Sequence, residues 1–407
     1  MAITHYYKLF EVRRKQQFLL IDFYKKPMSK IQKILQSFAL ILLFCFTVSA
    51  EPRWTEKQAN DWYAKQPFQV GSNYVPASAI NELEMWQADT FDVKRIDLEL
   101  GWAESLGMNT MRVFLHDLAY QQDPEGFKKR LNQFLDISAK HKIRPMIVLF
   151  DSVWDPNPQI GKQRVPRPGI HNSGWVQSPG AKALANPAEY PRLEKYVKDV
   201  VGSFAKDQRI HSWDIWNEPD NRNGNDYAKQ DPPNKIELIN KLLPMAFQWA
   251  RDGNPTQPLT SGVWKGDYAN AEKFDSTEQI QIDNSDFITF HSYEAADEFA
   301  KRIKFLQKLN RPIMCTEYMA RPRGSTFVAI LPVGAKYNVG MINWGFVEGK
   351  SQTIYPWDSW ERPYVEYEPW IWFHDVFRTD GTPYLREETE LIKRITGKTK
   401  AQAAGAR

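Results

Sequence analysis

Short apolar segments alternate with helical patterns along most of the chain, and this alternation constrains the fold more than any other feature. Eight segments have the length and composition of β-strands, namely residues 68–74, 109–114, 144–150, 212–217, 258–263, 287–291, 313–317 and 339–344. Several are apolar almost throughout, which is typical of strands buried on both faces of a parallel sheet.

Amphipathic helical patterns lie between these segments. After Asp123 and Pro124, for example, Phe127, Leu131 and Phe134 fall on one helical face. Alternating strands and helices predict a parallel sheet covered by helices, and eight repeats predict closure into a single-domain (β/α)8 TIM barrel. The alternative is an open doubly wound sheet. It would require a glycine-rich phosphate turn after the first strand, and Gly-Ser-Asn-Tyr at 71–74 is not one.

The first fifty residues are predicted to be a leader rather than part of the fold. From Met28, two lysines precede the apolar run 38–48, and Val-Ser-Ala at 48–50 fits a signal-peptide cleavage site. Residues 1–27 form an overlong basic extension, which suggests that Met28 is the true start. We therefore expect residues 28–50 to be a signal peptide and the protein to be secreted or periplasmic. A single-pass anchor is the alternative.

The leader also carries the basic charge of the chain. The whole chain has 53 basic residues (Lys and Arg) and 49 acidic residues (Asp and Glu), and residues 1–50 contain eight of the basic and two of the acidic ones. The rest of the chain therefore has 45 basic and 47 acidic residues, a net charge of −2. No electrostatic argument for a nucleic-acid partner remains. Cys315 is the one cysteine after the leader, so we predict no disulfide. Residues 51–398 are predicted to form one domain, and residues 399–407 a disordered tail. The protein is predicted to be a monomer.

Two of the predicted strands end in a glutamate. Residues 212–217 lead directly into Glu218 and Pro219, and residues 313–317 end at Glu317. A carboxyl group at the end of an apolar strand is costly to desolvate unless it is paired or used. Because active groups collect at the carboxyl ends of barrel strands, further polar and aromatic residues at these ends are candidates. These are Arg112, Asn217, His291, Tyr293 and Trp344.

In kind and order these residues resemble those of glycoside hydrolase clan A, and most of all glycoside hydrolase family 5, which includes cellulases and mannanases. The likeness covers most of the chain after the leader. It implies a retaining β-glycosidase with Glu218 as acid and base and Glu317 as nucleophile, their carboxyl groups about 5 to 5.5 Å apart. The charge on Glu317 is then expected to hold the proton on Glu218 toward about pH 6.

The resemblance also implies roles for the surrounding residues. Arg112 would keep the nucleophile ionised, and Asn217 would hydrogen-bond the 2-hydroxyl of the sugar. His291 and Tyr293 would orient the nucleophile and the sugar, while Trp344 would provide a stacking floor. Each has an ordinary structural alternative: Arg112 as a buried ion pair, His291 as a satisfied core histidine, and Trp344 as core packing.

Two long loops are predicted at the carboxyl ends of the strands, after strand three at 151–187 and after strand eight at 345–372. Both are rich in tryptophan, and we expect tryptophans of these loops to act as sugar platforms, among them Trp154 and Trp175 in the first loop and Trp357 in the second. The alternative is that half of them pack the loops onto the barrel. Many family 5 cellulases carry a histidine after the third strand, whereas this chain has Asp-Ser-Val-Trp-Asp at 151–155. That departure leaves glucan, mannan and xylan open as substrates.

Two classes of function follow. The first is a secreted retaining β-glycosidase that cuts a plant- or algal-type polysaccharide or its oligosaccharides, by hydrolysis or by transfer. The second is a non-catalytic carbohydrate-binding protein on the same barrel, which would be expected to lose one carboxylate. Both glutamates are present, which favours the enzyme. No ligand spacing typical of metal sites occurs, so we predict neither a metal nor another cofactor.

Overall fold

A computed structural model describes residues 52–224, 226–265 and 274–398. The predicted leader at 1–50 and the predicted tail at 399–407 lie outside the described residues. Within these ranges, no helix combines the length and apolar character needed to cross a bilayer. Cys315 is buried with a free thiol.

Eight strands form one sheet whose ladders are all parallel. They are β1 (Val70–Tyr74), β2 (Thr110–Phe114), β3 (Met146–Asp151), β4 (Ser212–Asn217), β5 (Leu259–Thr260), β6 (Ile288–His291), β7 (Ile313–Glu317) and β8 (Gly340–Asn343). Each lies within a predicted segment or extends it by one residue. The eight predicted strands are therefore confirmed.

The sheet closes on itself. Its order is β5-β4-β3-β2-β1-β8-β7-β6, and the two terminal strands are joined by a parallel bridge between Val263 and Phe290. The hydroxyl of Thr260 adds a hydrogen bond of 2.9 Å to the carbonyl of Phe287. The predicted strand 258–263 thus pairs with β4 only at its start and reaches β6 at its end. Closure confirms the barrel and excludes the open doubly wound sheet.

Helices surround the barrel and pack on its strands. They are α1 (Glu56–Tyr63), α2 (Glu82–Trp86), α3 (Val93–Ser105), α4 (Asp117–Gln122), α5 (Pro124–Lys140), α6 (Ala181–Leu184), α7 (Tyr190–Ser203), α8 (Lys235–Asp252), α9 (Ser276–Asn284), α10 (Ala296–Leu306), α11 (Phe327–Tyr337) and α12 (Arg386–Ile395). As predicted, α5 begins at Pro124, where the Asp123 carboxylate accepts from the Gly126 N–H, and it buries Phe127.

One end of the barrel is closed by apolar packing. Trp62 and Tyr63 of α1 pack against a separate cluster inside the barrel, which consists of Met146, Phe287, Met314 and Ile342. The Tyr63 hydroxyl also accepts a hydrogen bond of 2.9 Å from the N–H of Gly340, the first residue of β8. Because this end is the amino-terminal end of the strands, the polar side chains at the carboxyl ends face the other opening.

Candidate active site

The predicted site residues come together at the carboxyl ends of the strands. Arg112 lies on β2, Asn217 ends β4, His291 ends β6 and Glu317 ends β7. Glu218, Tyr293 and Trp344 follow β4, β6 and β8 within two residues. Most of them line one cavity of about 550 Å³, together with Trp154, Trp175 and Trp357. Residues far apart in sequence are thus assembled by the register of the closed sheet.

Glu317 is buried and held by two hydrogen-bond donors. The Nη1 atom of Arg112 donates to its Oε1 at 3.1 Å, and the hydroxyl of Tyr293 donates to its Oε2 at 2.8 Å. Only 6% of the residue is exposed. Both donors favour the ionised carboxylate, and they fix the orientation of its two oxygens.

Arg112 is fully buried at the centre of a polar network. Its Nε and Nη2 atoms lie 3.0 and 2.8 Å from Oδ2 of Asp214, a residue in the middle of β4. Nη1 also donates to Oδ1 of Asn73 at 2.9 Å, and Nη2 donates to Oδ1 of Asn217 at 2.7 Å. A buried guanidinium requires such compensation, because desolvation of an unpaired charge is costly. The network locks the arginine against Glu317.

Glu218 occupies a different environment. Its φ angle of 42° lies in the left-handed region, which a non-glycine residue adopts only under constraint. The Nδ2 atom of Asn221 donates to its Oε2 at 2.6 Å, and Nδ1 of His291 lies 2.9 Å from its Oε1. No arginine or lysine among the described residues forms an ion pair with it. This carboxyl group therefore lacks the direct cationic partner that Glu317 has.

Burial shifts the proton equilibria of these groups. It raises the pKa of Glu218 and of Glu317 to about 7. Arg112 and Tyr293 donate hydrogen bonds to Glu317 and not to Glu218, so they favour the ionised form more in Glu317. Desolvation lowers the pKa of His291 to about 4, so the imidazole is neutral near pH 7. The two carboxyl groups therefore titrate as a coupled pair near neutrality, and these contacts favour a proton on Glu218 over one on Glu317.

The two carboxyl groups are close in space. One oxygen of Glu218, one oxygen of Glu317 and a ring nitrogen of His291 lie within 4.8 Å of one another. In the part of the chain that the structure describes, this is the one group of three potential metal ligands. Arg112 already supplies a cation to Glu317, and a metal ion would compete with it. A metal-free site stays a prediction.

The predicted aromatic residues differ in exposure. Trp344 and Trp154 are half-buried and present part of their rings to the cavity. Trp175 also lines the cavity, but it is only 2% exposed. Its Nε1 donates to Oδ2 of Asp151 at 2.6 Å, and its ring meets that of Trp344 edge to face with centroids 6.0 Å apart. Trp175 is therefore placed to support its neighbours, with little ring surface of its own to offer.

Two important residues, Asp214 and Asp151, were missed by the sequence analysis. Asp214 lies inside a segment that was interpreted as an apolar strand. An isolated aspartate in a buried strand indicates a buried cation beside it, and this was the signal that could have identified Asp214. Asp151 accepts from Nδ2 of Asn217 at 2.9 Å and thereby orients that amide. Trp357, one of the predicted aromatic residues of the loop after β8, meets the ring of Tyr293 with centroids 5.0 Å apart, a contact that the sequence did not indicate. Loop residues such as this carry no periodic signal.

Comparison with known proteins agrees with the fold. No protein-family profile matches the chain, and no curated protein sequence matches it. Solved structures do match. An exo-beta-1,4-mannosidase from Opitutaceae bacterium strain TAV5 has 16% identity and a TM-score of 0.54, over 83% of this chain and 60% of that one. This chain therefore spans less than two thirds of that relative.

Two further structures are similar over more of their length. An endo-beta-1,4-mannanase from Thermotoga petrophila has 15% identity and a TM-score of 0.51, over 82% of this chain and 77% of that one. GH5_18 from Streptomyces cattleya, in complex with GlcNAc, has 12% identity and a TM-score of 0.52, over 80% and 79%. The predicted resemblance to clan A is confirmed at the level of the fold.

Proposed function

We propose that this chain is a retaining β-glycosidase in which Glu317 is the nucleophile and Glu218 the acid and base. The observation that carries the proposal is the pair itself: two carboxyl groups from different strand ends, with oxygens within 4.8 Å, in unlike surroundings. Inverting glycosidases need about 6.5 Å or more between the carboxyl groups to admit a water molecule, whereas retaining ones need about 5 to 5.5 Å. The closeness supports retention.

The reaction would proceed in two displacements. Glu317 attacks the anomeric carbon while Glu218 gives its proton to the leaving glycosidic oxygen, which departs as an alcohol. The resulting ester removes the negative charge of Glu317, so the pKa of Glu218 falls and its carboxylate can act as a base. Glu218 then takes a proton from water, whose oxygen attacks the anomeric carbon and releases Glu317. A second sugar in place of water would give transfer.

The surrounding residues act on this cycle through the contacts already described. Arg112 and Tyr293 hold the Glu317 oxygens in a fixed direction, which preserves a near-attack geometry. Asn217 is oriented by Arg112 on its oxygen and by Asp151 on its nitrogen, so its second amide hydrogen is available to a sugar hydroxyl. Trp344 offers part of its ring to the C–H face of a pyranose.

The pH dependence of activity follows from the shared proton. The active form has Glu218 protonated and Glu317 ionised, and burial raises the pKa of each to about 7. We expect kcat/KM to follow a bell: it falls above about pH 7 as Glu218 loses its proton, and it falls on the acid side as Glu317 gains one. A profile from about pH 4 to about pH 9 checks this. Activity that rises steadily to the alkaline end would argue against it.

Asp214 is expected to act on the reaction through Arg112. In Asp214→Asn one half of a fully buried ion pair loses its charge, so we expect a loss of about 3 kcal/mol in the free energy of unfolding. We also expect kcat to fall about tenfold, and the acid limb of the pH profile to move lower because a negative neighbour of Glu317 is gone.

Asp286→Asn is the matched control, since Asp286 is a buried aspartate paired with Arg251 at 3.0 Å and does not line the cavity. Thermal unfolding and pH profiles of both variants separate the two effects. The control should lose stability without moving the acid limb. If Asp214→Asn behaves in the same way, Asp214 has a structural role only.

The substrate class is proposed from the relatives and the cavity together. Two of the three matched structures described above are named for action on beta-1,4-mannosides, and half-buried tryptophans line the cavity of this chain. We propose a β-linked polysaccharide or its oligosaccharides, with β-1,4-mannan tested first, encountered outside the cytoplasm as the leader suggests. The experiment is a panel of soluble mannans, glucans and xylans with product sizing, and proton NMR of the first anomer formed. Initial release of the β-anomer supports the proposal, and initial release of the α-anomer contradicts it.

A non-catalytic carbohydrate-binding protein remains the second candidate. The aromatic cavity would serve either function, but the Arg112 and Tyr293 contacts to Glu317 favour a reactive carboxylate over a simple ligand for sugar hydroxyls. Binding of an oligosaccharide without product formation after prolonged incubation would favour this candidate instead.

A further inference from the structure

Arg323 is an uncompensated cation at the candidate active site. It is exposed and lines the cavity, and among the described residues its side chain has neither a carboxylate within ion-pair distance nor a hydrogen-bond partner. Its guanidinium carbon lies 5.6 Å from the centroid of the Trp357 ring. Stacking on an aromatic ring restricts the side chain while leaving its five N–H donors free.

The other cavity-lining cations in the described ranges are neutralised. Lys265 forms ion pairs with Asp220 and with Asp275, the latter at 3.0 Å. Arg302 lies 3.6 Å from Glu294, which also lines the cavity. Arg323 therefore differs from them in charge balance, and a negative group on a bound molecule would find its partner there.

The backbone that carries Arg323 is firmly held. Its neighbour Arg321 is buried, pairs with Glu388 at 2.7 Å, and donates to the carbonyl of Trp372 at 3.0 Å in the loop after β8. Ala320 and Ser325 form an antiparallel bridge across the turn, which is closed by Gly324 at a φ of 80°. A short 3-10 turn with Pro322 thus fixes the position from which Arg323 projects.

A continuous line of contacts links Arg323 to the reacting centre. Its guanidinium lies against Trp357, whose ring meets that of Tyr293 with centroids 5.0 Å apart. The Tyr293 hydroxyl in turn donates to Glu317 at 2.8 Å. Two side chains separate the cation from the nucleophile, so one oligosaccharide lying in the cavity can touch both.

We propose that Arg323 binds an anionic substituent of the substrate, a carboxylate or a sulfate ester on a sugar near the cleaved bond. This inference rests on the proposed function and deepens it, since it makes the substrate an acidic β-linked glycan. The planar guanidinium matches two oxygens of such a group, whereas a neutral sugar would need only the Trp357 ring. Of the four carboxyl groups that line the cavity, those of Glu317 and Glu294 are paired with cations, and those of Glu218 and Asp151 accept hydrogen bonds from neighbouring amides.

The test uses matched pairs of short β-linked oligosaccharides. One member of each pair carries a uronic acid or a sulfate ester, and the other is its carboxyl-reduced or desulfated form. Affinities are measured by titration calorimetry with the Glu218→Gln variant, in which cleavage of the ligand is slow. The same titrations are repeated with the Glu218→Gln, Arg323→Gln double variant. We expect an acidic member to bind about tenfold more tightly than its neutral partner, and Arg323→Gln to remove that preference without changing neutral binding.

Controls separate this inference from the proposed function. Arg386→Gln removes an exposed arginine that does not line the cavity, and it should leave every affinity unchanged. Arg323→Lys should keep only part of the preference, because an ammonium lacks the planar fork. A preference confined to the carboxylate or to the sulfate pair identifies the group.

The inference is overturned if both members of every pair bind equally, or if neither binds. It is also overturned if Arg323→Gln weakens acidic and neutral members alike. If an acidic ligand binds through Arg323 but the wild-type protein forms no product from it, the result contradicts the proposed glycosidase activity. It still supports the anion-binding role of Arg323.

Discussion

Glu317→Ala is expected to lower kcat by about 10⁴-fold or more on every substrate that the wild-type protein cuts, because alanine cannot form the proposed covalent intermediate. The cavity-facing carboxylate is held by Arg112 and Tyr293, and alanine leaves both donors without their acceptor. Initial rates measured over a range of substrate concentrations give the loss in kcat directly.

Glu294→Gln is the matched control for this variant. Glu294 is also a glutamate of the cavity lining, but its nearest cation is Arg302 and it makes no contact with the pair. It should change kcat by less than about tenfold. Full hydrolysis by Glu317→Ala, with circular dichroism showing an intact fold, would remove Glu317 from the role assigned to it.

Glu218→Gln is expected to produce the second largest loss, of about 10² to 10⁴-fold in kcat on natural glycosides, whose leaving oxygen must be protonated. An aryl glycoside with an acidic leaving group needs less help, so its first displacement should be nearly unaffected and the ester on Glu317 should accumulate. Added azide, which attacks without a base, should then restore turnover. Equal losses for both kinds of substrate would contradict an acid and base role.

The same variant should stabilise the protein at high pH. Burial raises the pKa of Glu218 in the folded state to about 7, above the ordinary glutamate value of 4.5. The folded state therefore binds more protons than the unfolded state, and the contribution of this group to stability falls as pH rises between those two values. We expect Glu218→Gln to unfold at a higher temperature than wild type near pH 8 and at a similar temperature near pH 4.

The barrel and the proximity of Glu218 and Glu317 were predictable from sequence for a physical reason. Strands buried on both faces must be apolar, so a glutamate at the end of such a strand, as at Glu218 and Glu317, stands out against its surroundings. Parallel order then brings such ends to one opening. The same logic located Arg112, since a buried cation requires partners, although its main partner Asp214 was hidden within a strand.

What sequence could not supply was the arrangement of the loops. Trp175 was predicted to be a sugar platform, yet it is almost fully buried against Trp344 and Asp151. Arg323 and Trp357 reach the same cavity from the loops after β7 and β8. Nothing in loop composition specifies which side chains meet, because their contacts depend on backbone paths that no periodic pattern encodes.

We propose that Glu317 forms a covalent bond with the sugar while Glu218 serves as its acid and base. The most direct measurement is mass analysis of the protein after treatment with a 2-fluoro glycoside bearing a good leaving group, followed by peptide mapping. We expect one sugar per protein molecule, attached to Glu317, and slower hydrolysis of this adduct in Glu218→Gln. An active protein that acquires no adduct, or acquires it at another residue, would contradict the assignment of Glu317 as the nucleophile.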